Sequence, residues 1–416
     1  MISQGESSGI LFTKNGVLFH IVFPALLPYF LSPLLSRRLC DGRVKCFFSE
    51  GYVAIVIDNV YQTLTKSEPF LQTRTQLPLH AETGLQIKGV AGSLMAALTA
   101  FLFEHLQQQV LLIVPGRDEA EKLCDDCALF LRGTKVHAYT YAPHHQGTVL
   151  DMSAPIARIE ALKALASDEP VVVVSSAEAL VGKAPPPATI QERSFVVAAG
   201  KEYPFENLLK RLAELGFERK DFVEGYGDMA VRGGILDLFP FVGEYPVRLE
   251  FWGDRLESVR EFNPLSQRSI RELQQANIVA NLADGSGTDG GFSSGSLLDY
   301  LGQQALLIVH EPVLLEREVE ELVREGVEAI VDWQNISKGI SRFSRIIHSN
   351  LTSSGVESAI DFRAQSQPVV QGSIKVLTKH LQKLLDNGFD LFLTCDTNEE
   401  GERIRELIDE ELRQRS

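Results

Sequence analysis

The run Gly89-Val90-Ala91-Gly92-Ser93-Leu94-Met95-Ala96 has the outline of a phosphate-binding loop between a turn and an apolar stretch. A working loop of that kind needs glycines so that backbone amides can wrap the phosphates. It also needs a lysine for the terminal phosphates and a Ser or Thr hydroxyl for magnesium. Here Gly89, Gly92 and Ser93 stand in place, but the lysine position is Met95, the hydroxyl position is Ala96 and a further glycine is replaced by Leu94. A second run, His310-Glu311-Pro312, ends an apolar strand-like segment. Nucleotide-binding sheets carry there an Asp-Glu pair that holds the metal and activates water. Glu311 remains and the Asp position is His310. Taken singly, the first run reads as a glycine turn that never met phosphate, and the second as a strand end satisfied by its neighbours. Taken together, the loss of lysine, hydroxyl and aspartate is the pattern of a retired nucleotide site. The expectation is no catalytic residue, no cofactor and no metal.

A different chemistry is offered further on. Arg219, Arg232 and Arg248 lie among short strand-like runs, where planar guanidinium groups suit the recognition of carboxylates. Gly225 and Gly227 predict a fold-back that brings Arg219 and Arg232 to one surface, with Phe239 as an apolar neighbour. The alternative is that Arg232 and Arg248 pair with local acids, Asp237 and Glu250, and only hold a hairpin together. Cys124 and Cys127 form a C-x-x-C, but Ala120, Leu123, Cys124, Cys127, Phe130 and Leu131 follow helical spacing on one face, which reads as an apolar stripe. There is no second cysteine pair for zinc; only His144 and His145 would help.

The elements that must position these residues alternate. A helix is predicted over 93–106, a strand over 110–114, a helix over 119–131, another over 154–166, and a buried strand over 171–175. Strands alternating with helices predict a parallel sheet with crossover helices. Pro185-Pro186-Pro187 ends that rhythm. From about 193 to 270 the pattern changes to one helix, 205–215, and short strands. Among these, 247–252 and 258–262 flank the turn pair Gly253-Asp254 and read as a hairpin in an α+β domain. The Gly/Ser/Asp-rich stretch 284–295 reads as a loop. The strand–helix rhythm then returns with 305–309 and 313–325. A last unit has a helix at 374–385, a strand at 391–395 and a charged helix at 399–412, with Thr397 and Glu400 at capping-box spacing.

The 416 residues suit several domains, and 44% hydrophobic with 23% charged residues is an ordinary globular balance. A formal net charge of −15 makes the whole chain a poor non-specific binder of phosphate backbones. Five scattered cysteines are no disulfide framework and fit a cytoplasmic location. The apolar stretch 17–35 contains Pro24, Pro28 and Pro33, which argues against a membrane span, and no signal peptide is evident. This stretch breaks from the rhythm that follows and reads as sequence upstream of a misplaced start.

The most specific pattern is Gly227-Asp228-Met229-Ala230-Val231-Arg232-Gly233-Gly234-Ile235-Leu236-Asp237-Leu238-Phe239-Pro240, followed by Glu244-Tyr245-Pro246-Val247-Arg248-Leu249-Glu250-Phe251-Trp252-Gly253-Asp254. It resembles, nearly residue for residue, the inserted domain shared by UvrB and the bacterial transcription-repair coupling factors. The resemblance extends over about 65–416. The Tyr-rich DNA-probing hairpin of UvrB has no counterpart here, which points to the coupling factors. The resemblance implies an α/β fold: a degenerate P-loop NTPase-like (RecA-like) domain at 65–192 and 273–340, an inserted UvrA-interaction domain at 193–272, and a small α/β domain at 341–416. It leaves 1–64 unassigned. It implies UvrA as the partner, contacted through Arg232, Arg219 and Phe239. Ala230 departs from UvrB, which has a further arginine there. RNA polymerase and DNA are expected to be reached only through polymerase-binding and motor domains outside this sequence, and no membrane is implied. The rivals are an active ATPase or helicase subunit of UvrB type, which requires a lysine and a hydroxyl at positions 95 and 96, and a scaffold with no partner.

Overall fold

The computed structural model describes residues 8–14, 17–23, 44–47, 58, 60–77, 84–132, 136–140, 153–167, 169–182, 184–280, 295–325, 332–350, 359–364, 373–387, 390–394, 403, 406–408, 410 and 413. The predicted loop at 284–294, His144, His145 and the Thr397/Glu400 cap lie outside these residues.

β-branched and leucine-rich runs build a parallel sheet of seven strands. Its order is Ile360–Asp361, Leu85–Lys88, Ser344–His348, Leu306–His310, Val110–Val114, Val172–Ser176, Val136–Tyr139. The central runs are buried on both faces, as a sheet covered by helices on either side requires. Leu111 and Ile113 face one core, Val110, Leu112 and Val114 the other. The second core is filled by the helix Leu94–Leu106, which is apolar all round its first turns, and by Arg117–Phe130. Val60, Tyr61, Leu64 and Phe70 already belong to it, so the packed unit begins a few residues before 65.

The strands Ser344–His348 and Ile360–Asp361 lie inside this sheet, next to Leu85–Lys88. The sheet therefore runs through the 340/341 division expected from sequence. The reason is that a strand can join a parallel sheet from any distance along the chain. At the other extreme, Ser8–Lys14 and Val44–Phe47 flank Asp390–Thr394, with Val17–Phe23 outside, in a separate four-stranded sheet. Part of the unassigned first segment thus shares a sheet with the last unit.

Between Val172–Ser176 and Leu306–His310 the chain leaves to form an insert. Its stem is an antiparallel pair, Ser194–Ala198 with Gln275–Val279. Above the stem stands a sheet in the order Ser269–Leu273, Arg255–Phe262, Val247–Trp252, Ile235–Leu238, Asp228–Arg232, Glu218–Arg219. All its pairings are antiparallel except the last. The alternation in Val247–Trp252 puts Val247, Leu249 and Phe251 on the buried face and Arg248 and Glu250 on the other. The buried face packs on Leu208 and Leu212 of the helix Phe205–Glu214 and is continuous with one core of the parallel sheet.

Candidate functional sites: a closed loop and a charged sheet face

At the carboxyl ends of the central parallel strands, where ligands of such sheets bind, the glycine loop turns at Gly89 (φ 67°) and Gly92 (φ 56°) into the helix Leu94–Leu106. Met95 and Ala96 do not face an opening. Both are buried in the apolar core with Leu94 and Phe101. The loop is instead engaged by its own chain. Gly89 N–H donates to Asn350 Oδ1 (3.2 Å) and Val90 N–H to His348 Nε2 (3.3 Å). On its other side Ala364 N–H donates to Gly89 O (2.7 Å) and Phe362 N–H to Lys88 O (2.9 Å). A Cβ at position 89 would stand 2.6 Å from Asp361 Oδ1, so the close strap demands glycine there.

His310 and Glu311 belong to the same cluster. His348 Nδ1 and His310 Nδ1 are 2.9 Å apart, and His310 Nε2 lies 3.3 Å from Glu119 Oε1. Because His348 Nε2 accepts from Val90, the neutral ring carries its proton on Nδ1 and donates it to His310. His310 then carries its own proton on Nε2, toward Glu119. Burial, and secondarily His310, pulls the His348 pKa down to about 3, so the ring is neutral. Glu311 sits in the left-handed region (φ 49°) as the N-cap of Pro312–Arg324. Its carboxylate accepts from Asn350 N–H (3.0 Å), and its own N–H donates to His348 O (2.8 Å). Near Ser93, burial pushes the Asp126 carboxyl pKa upward. Sequence reasoning missed His348, Asn350 and Asp126. The usable signal for the first two was a polar pair ending an apolar strand, once that strand is placed in this sheet.

The Cys124–Cys127 pair lies on Arg117–Phe130 as an apolar stripe, with Cys127 buried and both thiols free. Burial pushes the Cys124 thiol up to about 12 and Cys127 well above its usual range, which makes them inert.

The second region is the polar face of the inserted sheet. Ala230, Asp237 and Arg248 stand in register across three strands, and Arg232 shares their face by alternation. Asp237, with a side chain 1% exposed, accepts from Arg232 Nη2 (2.8 Å) and, bidentately, from Arg248 Nε and Nη2 (2.7 and 2.8 Å). The expected local pairing with Asp237 is present. Glu250, however, takes Arg260 (2.8 Å) and Ser258 (2.7 Å), not Arg248. Arg248 is capped by Gln267 (3.1 Å) and lies over Phe262, with its guanidinium carbon 4.6 Å from the ring centroid. Its pKa is raised chiefly by the Asp237 hydrogen bond. Arg232 is the outer member: its side chain is 44% exposed and its guanidinium lies 5.0 Å from the Phe222 ring, itself 55% exposed.

Two expectations about this face are corrected. Phe239 is only 7% exposed. It packs with Val223, Ala230 and Phe262 under Tyr226, because the 222–226 segment folds over it. Arg219 does not share the face of Arg232. The fold-back at 220–227 returns parallel, not as a hairpin, and puts Arg219 in register with the core-facing Met229. Three residues further along, about 10 Å at strand rise, Arg232 points to the opposite face. Gly227 (φ 84°) makes the turn possible, and Asp228 caps it by accepting from Glu224 and Gly225 N–H (3.1 and 2.9 Å).

Among the described residues no helix is long and apolar enough to cross a membrane, and no group of three or more His, Cys, Asp or Glu side chains has the arrangement of a metal site.

Comparison with known proteins places this second region in a family. Residues 195–282 match the UvrB interaction domain. The transcription-repair-coupling factor of Bacillus subtilis is 28% identical over 224 residues, 53% of this chain and 19% of that protein. That of Myxococcus xanthus is 30% identical over 222 residues, 51% of this chain and 18% of the relative. That of Mycobacterium bovis is 36% identical over 168 residues, 38% and 14% respectively. The matched segment thus spans about a fifth or less of these relatives' length.

Proposed function

We propose that this chain, whose residues 195–282 match the UvrB interaction domain and which is similar to transcription-repair-coupling factors, recruits UvrA in transcription-coupled nucleotide excision repair, in the cytoplasm. In this reading the polar face of the inserted sheet is the docking surface. Contacts to RNA polymerase and DNA fall to parts of the relatives beyond the matched segment. The parallel-sheet domain is a non-catalytic frame that binds no nucleotide.

The observation that carries the reading is Arg232. It is the half-exposed end of the Asp237 pair, with an exposed aromatic ring beside it. Asp237 needs only Arg248 to stay satisfied, which leaves the outer guanidinium free to reach an acid on a partner. Interface arginines flanked by aromatic rings are frequent hot spots. Phe239 supports this face from below, and Arg219, on the edge strand, adds at most a peripheral contact.

The test pairs UvrA affinity with thermal midpoint for Arg232→Ala. A loss of about 2 kcal/mol in binding, roughly thirtyfold, with the midpoint nearly unchanged is expected, because Arg248 keeps its bidentate hold on Asp237. Unchanged affinity would sink the assignment. Arg232→Glu is the poorer probe, since it sets a second carboxylate against buried Asp237 and confounds docking with stability. An active ATPase is the rival; titration of Mg-ATP giving a micromolar dissociation constant that vanishes in Glu311→Gln would favour it.

A further inference from the structure

The polar atoms of the glycine loop are taken in a particular way. A nucleotide loop offers its amides to phosphate oxygens, and its helix favours negative charge at the N-terminus. Here Asn350 Oδ1 accepts from Gly89 N–H and His348 Nε2 from Val90 N–H. His348 is fully buried, its ring cannot swing away without breaking its link to His310, and its backbone is pinned by the Glu311 N–H to His348 O bond. Asn350 is likewise anchored, its own N–H donating to Glu311 Oε1.

We infer that the end of the strand Ser344–His348 is an autoinhibitory plug: His348 and Asn350 occupy the Gly89 and Val90 donors at the start of the glycine loop and keep phosphates out independently of the missing lysine and hydroxyl. The orientation of the chain of bonds supports this. Val90 N–H to His348, His348 to His310, and His310 to Glu119 all point the same way, so His348 presents an acceptor to the loop in the one neutral tautomer compatible with its neighbours. Glu311, retained from an acid motif, becomes the clasp of the plug: it holds Asn350 and Ser349 (3.5 Å) rather than a metal-bound water.

The consequence is that restoring the absent side chains does not reopen the site. In the full chain, Met95→Lys with Ala96→Thr is expected to bind inorganic pyrophosphate no better than wild type by calorimetry. Adding His348→Ala and Asn350→Ala to that background is expected to tighten pyrophosphate binding by about tenfold or more, the worth of one to two ordinary hydrogen bonds. Binding by the Met95→Lys/Ala96→Thr chain alone overturns the plug. So does failure of the fourfold variant to bind while its circular dichroism and melting remain native. Should the fourfold variant not fold, amide exchange decides. Asn350 is exposed, and Asn350→Ala should speed exchange in the peptide spanning Gly89 and Val90 by about fivefold. His348→Gln, which keeps an acceptor toward Val90, should leave that peptide closer to wild type than His348→Ala does. Exchange unchanged in Asn350→Ala, or equal in the two His348 variants, overturns the inference.

Discussion

The two regions treat charge in opposite ways. At the glycine loop the Gly89 and Val90 amides are matched by acceptors from the same chain, the exposed Asn350 and the buried His348. On the inserted sheet the pairing is lopsided. One buried carboxylate, Asp237, serves two arginines, one enclosed and one half in solvent. The first arrangement is closed at those two amides. The second holds more cation than its acid needs, and the surplus faces outward beside Phe222. The two regions therefore differ in the stoichiometry of their hydrogen bonds.

The comparison breaks most severely at Asp237. Asp237→Ala removes the acid shared by Arg232 and Arg248 and leaves Arg248, 18% exposed, with Gln267 alone. A loss of about 2–4 kcal/mol is expected, below that of a fully buried pair because Arg232 is partly screened by solvent. Denaturant unfolding measures it. A change under about 0.5 kcal/mol would mean that the pairs on this face are ordinary surface ion pairs.

The closed region is sharpened by acid. His348 is held neutral with its pKa lowered to about 3, against about 6.5 in an unfolded chain. The unfolded state binds the proton first, so the stabilisation is present above pH 6.5 and is lost as pH falls toward 3. The groups facing the ring are the Val90 amide, His310, Glu311 and Asn350, with Glu119 beyond His310. The difference in stability between wild type and His348→Gln should shrink progressively over that window. A difference that is constant with pH contradicts a His348 ring held neutral by burial. Smallest is Arg219→Ala, an exposed edge-strand residue. It should change stability by less than about 0.5 kcal/mol and UvrA affinity by much less than Arg232→Ala. An equal loss of affinity from both would mean that docking wraps the sheet edge.

Much of this was legible in the chain. Val110–Val114 and Val172–Ser176 announce buried parallel strands by composition, and Val247–Trp252 announces its two faces by alternation. The absence of lysine and hydroxyl at Met95 and Ala96 is plain. What the sequence did not carry was neighbourhood. Ser344–His348 reads as a strand anywhere, and only its pairing with both Leu85–Lys88 and Leu306–His310 sets His348 against the loop. Phe239 alternates onto the charged face and so reads as exposed. It is covered because Gly227 lets the 222–226 segment fold down. Arg219 failed for a related reason: a fold-back can return parallel or antiparallel, and the glycines do not say which.

The stem of the insert has a bearing on how the chain assembles. Ser194–Ala198 and Gln275–Val279 zip together over five paired positions, from Ser194 with Val279 to Ala198 with Gln275. The strands on either side of it, Val172–Ser176 and Leu306–His310, both border Val110–Val114. To the parallel sheet, the whole excursion therefore has the span of a short connection once the stem is closed. The entropy of closing a long loop is met locally, between strands that leave and return side by side, before the last central strand must find its slot. An insert tethered in that manner can change sequence, length or partner while the sheet beneath it keeps its order.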